Sequence, residues 1–205
     1  VAGARQTFDR FAAAFHVAST HAFILRSLLH LIEERHAKFN GTLYQLEPDV
    51  KDSPGALRDL LAVRTIAMLT DPLLLKRGPA DLARVEDAED FLLRVRSVLH
   101  LEGGRNQNVL SHELQEKTAD MLRYPGTDPR QRVERLMSDY FRHARIVSRS
   151  LDWARKTAPV PVGPNLGLTR DGVRFMDPVL AARNPATWVG AFQAAIDHAT
   201  EVSEE

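Results

Sequence analysis

The sequence predicts a mainly α-helical protein: a helical bundle with a short strand near 42–47 and a small hairpin near 166–176. Three observations favour this class. Apolar residues recur at the 3.6-residue spacing of helices along most of the chain. One long seam, from Val133 to Ala154, advances by alternating steps of four and three, which is typical of near-antiparallel packing in a bundle. The alternation typical of strands is confined to a few short segments.

The N-terminal region predicts two helices and then the strand. One face of a first helix carries Phe8, Phe11, Ala12 and Phe15. A second helix is expected to begin near Ser19 or Thr20 and to end at Asn40-Gly41. Its inward side chains are expected to be Ile24, Leu28, Leu31 and Ile32. The alternating TLYQL segment that follows accounts for the strand near 42–47.

The middle of the chain predicts four more helices. Three are expected at about 55–69, 86–102 and 111–123, with a loop over 70–85 that contains Pro72 and Gly78-Pro79. The longest should run from about Pro129 to Lys156, because Asp128 suits an N-cap and proline suits the first helical position. Five arginines mark its outer face: Arg132, Arg135, Arg142, Arg145 and Arg149.

The C-terminal part predicts a separate small unit. The APVPVGPN segment, residues 158–165, has the composition of a linker. Asp171-Gly172 indicates a tight hairpin turn, and a last helix is expected from about Asn184. We therefore divide the chain into a helical domain at 1–157 and a linker, hairpin and C-terminal helix at 158–205.

The composition argues against several classes of protein. Lys plus Arg and Asp plus Glu both number 27, so the formal net charge is zero and nothing favours nucleic acid or an acidic membrane surface as a partner. The absence of cysteine excludes disulfides and thiolate metal sites and favours a reducing compartment. No apolar run approaches the ~20 residues of a membrane span, and the N-terminus lacks a signal-peptide pattern. We expect a soluble, cytoplasmic protein.

The stretch LEPDVKDSPGALRDL, residues 46–60, concentrates the candidate chemistry. Six charged side chains surround one glycine: Glu47, Asp49, Lys51, Asp52, Arg58 and Asp59. A carboxylate at a strand end can hold Mg²⁺ beside nucleotide phosphates, and a glycine at a helix start lets backbone N–H groups approach an anion. The same residues could instead cap and pair with one another in an ordinary loop. Spacing alone leaves both interpretations open.

Three stretches, in order along the chain, resemble the bacterial PII uridylyltransferase/uridylyl-removing enzyme family of nitrogen control. They are YQLEPDVKDSPGALRDL (44–60), FLLRVRSVLHLEGGRNQNVLSHELQEKTADMLRY (91–124) and VERLMSDYFRHARIVS (133–148). The family enzyme has a nucleotidyltransferase domain, this helical domain, a metal-dependent HD hydrolase domain and two ACT domains. The resemblance implies that the chain is the central helical domain that follows the nucleotidyltransferase core.

The resemblance also implies site residues. Glu47 and Lys51 take the acidic and basic positions of the first motif. The implied catalytic residues are Glu47 and Asp49, with Glu47 as a ligand of Mg²⁺. The implied nucleotide-binding residues are Lys51, Gly55, Arg58, Asp59 and Arg105.

The chain departs from the family pattern at a few positions. Ala56 replaces a second glycine, Asn108-Val109 replaces an Asp-Arg pair, and His112 replaces an aromatic residue. Neither the G-[SG]…D-x-D core of nucleotidyltransferases nor a His-Asp doublet is present. The sequence therefore leaves open whether the chain is an enzyme.

Arg94 falls within the apolar stripe of the helix at 86–102, three residues after Phe91. A buried arginine needs a partner. We expect it either to pair with a carboxylate, Asp59 or Asp139, or to face the nucleotide cleft.

The leading hypothesis is a domain that, with the preceding nucleotidyltransferase domain, binds UTP and Mg²⁺ and transfers UMP to a tyrosine of a PII-like protein. The alternative is a non-catalytic regulatory or interaction module, degenerate at Ala56 and Val109. A third hypothesis is a sensory nucleotidyltransferase of the cyclic-nucleotide type, since such proteins share a similar K-x-x-G-L-x-D turn.

Overall fold

The predicted fold class is confirmed by a computed structural model, which describes residues 4–15, 18–70, 84–104, 106–169 and 172–202. These residues form eight helices: α1 (Arg5–Phe15), α2 (Ala18–Ala37), α3 (Leu57–Thr70), α4 (Val85–Glu102), α5 (His112–Met121), α6 (Pro129–Thr157), α7 (Pro178–Arg183) and α8 (Pro185–Asp197). They also form a three-stranded antiparallel sheet: β1 (Val160–Gly163), β2 (Leu166–Thr169) and β3 (Gly172–Phe175). No helix in these ranges has both the length and the apolarity needed to cross a bilayer.

The longest helix, α6, is the element on which α3, α4 and α5 pack. Its start matches the sequence prediction, because the Asp128 carboxylate accepts a hydrogen bond from the Gln131 amide and Pro129 takes the first turn. Most of the predicted seam is buried: Tyr140, Ala144, Val147, Leu151 and Ala154. The prediction of this helix and its inward face is confirmed.

The bundle contains two apolar cores that share α6. One core lies among α4, α5 and α6 and includes Phe91, Leu92, Leu99, Leu110, Leu136 and Tyr140. The other joins α2, α3 and the C-terminal half of α6 and includes Leu25, Ile32, Val63, Ile66 and Leu151. The loop between α2 and α3 lies against the first core, through Val50 and the partly buried Leu43.

The strand predicted near 42–47 is wrong. The Gln45 side chain donates hydrogen bonds to the carbonyls of Phe39 and Thr42, which holds this segment in a turn. Tyr44 and Leu46 are 61% and 82% exposed, so the alternation reflects no buried face. Extended pairing begins only afterwards, at an isolated antiparallel bridge between residues 49 and 109.

Helix α2 ends three residues before the predicted stop. Asn40 and Gly41 both have positive φ, 54° and 65°, and form the turn beyond Ala37. Leu31, predicted to point inward, is 58% exposed. Leu25 and Ile32 are buried, and Leu28 and Leu29 are partly buried against the same core. The predicted inward direction is therefore confirmed for Leu28 and Ile32. The predicted 70–85 loop falls mostly outside the described residues.

The C-terminal unit, residues 160–202, has its own apolar core, formed by Leu166, Val173, Phe175, Ala181, Ala191, Ala194 and Ala195. The predicted hairpin is present as β2 and β3. The segment expected to be a linker includes β1, which pairs with β2. Asn184 caps α8 through its side-chain oxygen, as expected. The division of the chain into two domains stays a prediction.

Candidate functional site

Residues 49–59, called here the glycine turn, connect the bridge at Asp49 to α3. The Asp49 carboxylate accepts hydrogen bonds from the backbone amides of Lys51 and Asp52, both at 2.8 Å. The backbone carbonyl of Asp49 accepts a 2.6 Å hydrogen bond from the Ser53 hydroxyl. An aspartate that bonds the amides two and three residues later folds the chain back on itself. Asp49 therefore gives this segment its shape.

Gly55 occupies the tightest position of the glycine turn. Its φ is +78°, in the left-handed region that favours glycine. A Cβ atom there would lie 2.5 Å from the carbonyl oxygen of Ala144 on α6. Ala56, which follows, is fully buried and has a negative φ. Because its backbone is ordinary, alanine fits where the family pattern has its second glycine.

Asp59 is the buried centre of the glycine turn, with no exposed surface. Its Oδ2 accepts a 2.7 Å hydrogen bond from the Gly55 amide, and its Oδ1 lies 2.6 Å from Nη2 of Arg35. Nε2 of His36 lies 2.9 Å from the same oxygen. Burial alone would raise the pKa of Asp59, but the hydrogen bonds from His36, Gly55 and Arg35 outweigh it and hold the pKa below its usual value.

Arg35 and His36 are the residues that sequence reasoning missed. Both lie in the last turn of α2, where cations are also expected simply to complement the helix dipole. Arg35 additionally donates to the Asp52 carbonyl at 2.9 Å, so it links α2 to the glycine turn at two points. The available signal was the general need of a buried aspartate for a cationic partner. No motif spacing in the sequence identifies which residue that partner is.

A surface cleft of about 530 Å³ opens beside the glycine turn, between α2 and α3. We call it the charged cleft; its lining residues include Arg35, Lys38, Asp49, Asp52, Arg58 and Leu61. Arg58 is half-exposed, and its Nε lies 3.0 Å from the Asp52 carboxylate. The cleft thus combines three cations and three carboxylates, the third being Glu34, with apolar side chains such as Leu28 and Ile32.

Glu47 and Lys51 lie apart from the charged cleft. The Glu47 carboxylate accepts a 2.8 Å hydrogen bond from the His112 amide, at the first position of α5. That bond satisfies a helix N-terminus whose own N-cap, Ser111, makes no side-chain bond. Lys51 is half-buried and makes no ion pair within the described residues. Arg105 lies outside the described residues.

The site residues thus fall into three groups. Asp49 and Arg58 line the charged cleft, Gly55 and Asp59 are buried beneath it, and Glu47 faces α5. The catalytic, nucleotide-binding and metal roles assigned to these residues stay predictions.

The donor groups around the glycine turn do not form a complete ligand set for magnesium. Within the described ranges no group of three or more Asp, Glu or His side chains could hold a metal ion. The carboxylates of Glu47 and Asp49 both accept backbone N–H groups. These residues do not form a magnesium site by themselves.

Tyr140, from the third motif, lies directly beneath the glycine turn. It is fully buried in the first core, and its hydroxyl lies beside Ser53. Burial raises the pKa of this tyrosine, so its hydroxyl stays protonated. The first and third motifs therefore lie next to each other in the folded chain. Packing between them explains why both occur in the sequence.

The expectation that Arg94 is buried is wrong. Its side chain is 60% exposed, and its Nε lies 3.1 Å from Asp90, four residues earlier. The inward stripe of α4 is formed by Phe91, Val95 and Val98, and Arg94 lies just beside it. Asn108, where the family has aspartate, accepts a 2.9 Å bond from Arg96, while Val109 is partly exposed.

Comparison with known proteins identifies one family. A family model described as GlnD PII-uridylyltransferase matches residues 24–153. The bifunctional uridylyltransferase/uridylyl-removing enzyme of Burkholderia orbicola (strain MC0-3) is 35% identical over 161 residues, covering 73% of this chain and 18% of that protein. The enzyme of the same name from Thiobacillus denitrificans is 31% identical over 210 residues, covering 93% and 24%. No solved structure matches the chain.

The chain therefore spans about a fifth of the length of the curated relatives it matches. The match covers all three sequence stretches that carry the resemblance, and it includes the glycine turn, α3, α4, α5 and most of α6.

Proposed function

Because this chain belongs to the GlnD PII-uridylyltransferase family, we propose that it is the helical domain of a uridylyltransferase that helps bind UTP and transfer UMP to a protein tyrosine. In this proposal the acceptor is a PII-like protein in the cytoplasm. The reacting carboxylates belong to a nucleotidyltransferase domain that precedes the helical domain. The observation that carries the proposal is that the family motif folds into the glycine turn at the edge of the charged cleft.

Two exposed cations of the cleft support a ligand that carries phosphate groups. Arg58 and Lys38 lie on its surface, and Arg35 is fixed beneath by Asp59. The Arg58 side chain is half-exposed, while the Asp52 oxygen beside its Nε is buried. Arg58 can therefore keep Nε beside Asp52 and present its other N–H donors to a phosphate, which guanidinium binds through two parallel hydrogen bonds.

The apolar part of the cleft supports a ligand with a base or similar ring. Leu28, Leu31 and Leu61 line it on the helical side, and Leu31 and Leu61 are more than half exposed. A volume of about 530 Å³ lies within the range of small-molecule sites, roughly 300–1,000 Å³.

Magnesium enters this proposal only with the nucleotide. Since the described residues do not form a metal site, Mg²⁺ would be held by carboxylates of the nucleotidyltransferase domain and by the triphosphate, which is the usual arrangement for this ion. The contribution of this chain is then to position the triphosphate and to keep the cleft in shape.

A chimeric enzyme tests the proposal. The matching segment of the Thiobacillus denitrificans relative is replaced by this chain, and transfer of labelled UMP from UTP to a PII protein is measured. We expect Arg58→Ala to raise KM for UTP at least about tenfold, since bonds to charged groups contribute roughly 1.5–3 kcal/mol. Arg145→Ala, an exposed arginine of α6 away from the cleft, is the control and should leave KM unchanged. An unchanged KM in the Arg58 variant would remove the charged cleft from the mechanism.

One observation favours the second candidate, a non-catalytic interaction module. Glu47, the implied metal ligand, is used to cap α5, and the same segment exposes Tyr44 and Leu46. Calorimetry of the chain with UTP separates the two functions. Saturable heat that Arg58→Ala abolishes supports the nucleotide domain, whereas no heat at millimolar UTP supports the module.

A further inference from the structure

A second pocket, of about 160 Å³, lies between α4 and the turn that follows α5. We call it the arginine pocket; it is lined by Phe91, Arg94, Leu122, Arg123, Tyr124 and Pro125. Nothing in the proposed uridylyltransferase function uses it. This volume of about 160 Å³ is large enough for a small ion.

The backbone conformation at Arg123 is unusual for an arginine. Helix α5 ends in a Schellman motif, in which the Tyr124 amide donates to the Ala119 carbonyl at 2.9 Å and the Arg123 amide to the Asp120 carbonyl at 3.0 Å. This motif places its C′ residue in the left-handed region, where glycine is usual. Arg123 has φ +56° there, a conformation that glycine adopts more easily than arginine.

The two arginines of the pocket differ in how they are neutralised. Arg94 has one carboxylate partner, because its Nε lies 3.1 Å from Asp90. A guanidinium has five N–H donors, so this contact leaves most of its donors available. Arg123 is exposed and makes no ion pair or side-chain hydrogen bond with any residue that the structure describes.

The other carboxylate near the pocket already has partners. Asp139 accepts a 3.0 Å hydrogen bond from the Tyr124 hydroxyl, and its other oxygen lies 2.9 Å from Nη2 of Arg142. Asp139 therefore does not neutralise Arg123, and the pocket keeps an excess positive charge.

We propose that the arginine pocket binds a small tetrahedral oxyanion, a phosphate group, between the guanidinium groups of Arg94 and Arg123. Arginine pairs with phosphate through parallel N–H donors. The buried ring of Phe91 closes one side of the pocket. Such a site binds free phosphate, or a phosphoryl group carried by a larger molecule.

The test uses the 205-residue chain and inorganic phosphate. Its thermal unfolding is followed against phosphate concentration, with sodium chloride at matched ionic strength as the reference. We expect a saturable rise in Tm that chloride does not reproduce. Arg123→Gly should unfold at the same or a higher temperature without phosphate, because glycine suits φ +56°, and should lose at least a tenfold factor in phosphate affinity.

Two further variants complete the test. Arg94→Gln should also weaken phosphate binding, whereas Arg145→Gln, an exposed arginine elsewhere on α6, should not. Repeating the titration with phosphoserine distinguishes the two possible ligands. Tighter binding of phosphoserine indicates a phosphoryl group on a larger molecule, and tighter binding of the free ion indicates phosphate itself. A saturable response that Arg123→Gly leaves intact, or no saturable response at all, would overturn the proposal.

Discussion

The glycine turn and the C-terminal unit bury different kinds of residues. The glycine turn buries polar groups, Asp59 and Ser53, and gives each one a hydrogen-bond partner. The C-terminal unit packs α8 on its sheet through small residues, Ala191, Ala194 and Ala195. Three large apolar side chains on that helix are more than half exposed: Val189, Phe192 and Ile196.

The difference shows where each region is vulnerable. A buried polar network has few substitutes, because removing one partner leaves the other without an acceptor or donor. A core built on alanines depends on close backbone approach, so it resists truncation and is sensitive to enlargement. The family match includes the first region and ends at residue 153, before the second.

The largest effect is expected at Asp59. Asp59→Ala leaves Arg35, His36 and the Gly55 amide without their acceptor, and breaking a buried pair on one side costs about 3–5 kcal/mol. Urea unfolding followed by circular dichroism measures the loss. Glu134→Ala, which breaks an exposed pair with Arg130, should cost less than about 0.5 kcal/mol. Similar losses in both variants would contradict the buried network.

Lowering the pH should remove part of the same stabilisation. The hydrogen bonds of Asp59 hold its pKa below the ordinary value of 3.8 despite its burial, so the folded state binds this proton more weakly than the unfolded state does. The stabilisation is complete above about pH 4 and is lost as the pH falls through the folded-state pKa. The free energy of unfolding should therefore fall more steeply in acid for the wild type than for Asp59→Asn. Parallel curves would show that Asp59 does not contribute.

Gly55 is the next most sensitive position. Gly55→Ala adds left-handed strain of about 1–2 kcal/mol and a clash with the Ala144 carbonyl, for a total of about 2–4 kcal/mol. Gly104→Ala is the matched control, because Gly104 has φ +83° and open space around its Cα; it should show the strain alone. Equal losses in chemical denaturation would mean that the approach to α6 costs nothing.

The C-terminal unit should respond in the reverse way to size. Ala191→Leu enlarges a fully buried residue of α8 without lowering helix propensity, and should cost about 1–3 kcal/mol. Val189→Ala, which truncates a side chain that is 71% exposed, should stay within about 0.5 kcal/mol. Thermal unfolding of both variants measures the two losses of stability. A larger loss from Val189→Ala would show that the face of α8 that carries Val189 is packed against another surface.

The smallest effect is expected at Glu47. Glu47→Gln removes the negative charge of the side chain that accepts a hydrogen bond from the His112 amide at the start of α5. This loss should lower the free energy of unfolding by about 0.3–1 kcal/mol. Glu116→Gln, an exposed change within the same helix, should cost nothing measurable. If Glu47→Gln leaves stability unchanged but abolishes UMP transfer in the chimera, the metal role gains support over the capping role.

The sequence predicted a structural feature well when the contacts that determine it lie close together along the chain. Helix α6 was predicted within a residue at each end, because Asp128, Pro129 and the apolar seam all lie within the helix itself. The partners of Asp59 were missed because Arg35 and His36 lie on another helix. The strand near 42–47 failed for a related reason, since strand formation needs a partner strand and alternation cannot supply one.

The segment that leads into the glycine turn is held by parts of the chain that are far apart in sequence. The bond from His112 to Glu47 spans 65 residues, and that from Gln115 to Leu46 spans 69. Closing such loops costs entropy before any contact forms, so this region should reach its native shape only after α3, α4 and α5 have docked. Substitutions there should then accelerate unfolding more than they slow folding. The Glu47 cap of α5 would accordingly be among the last features of the molecule to form.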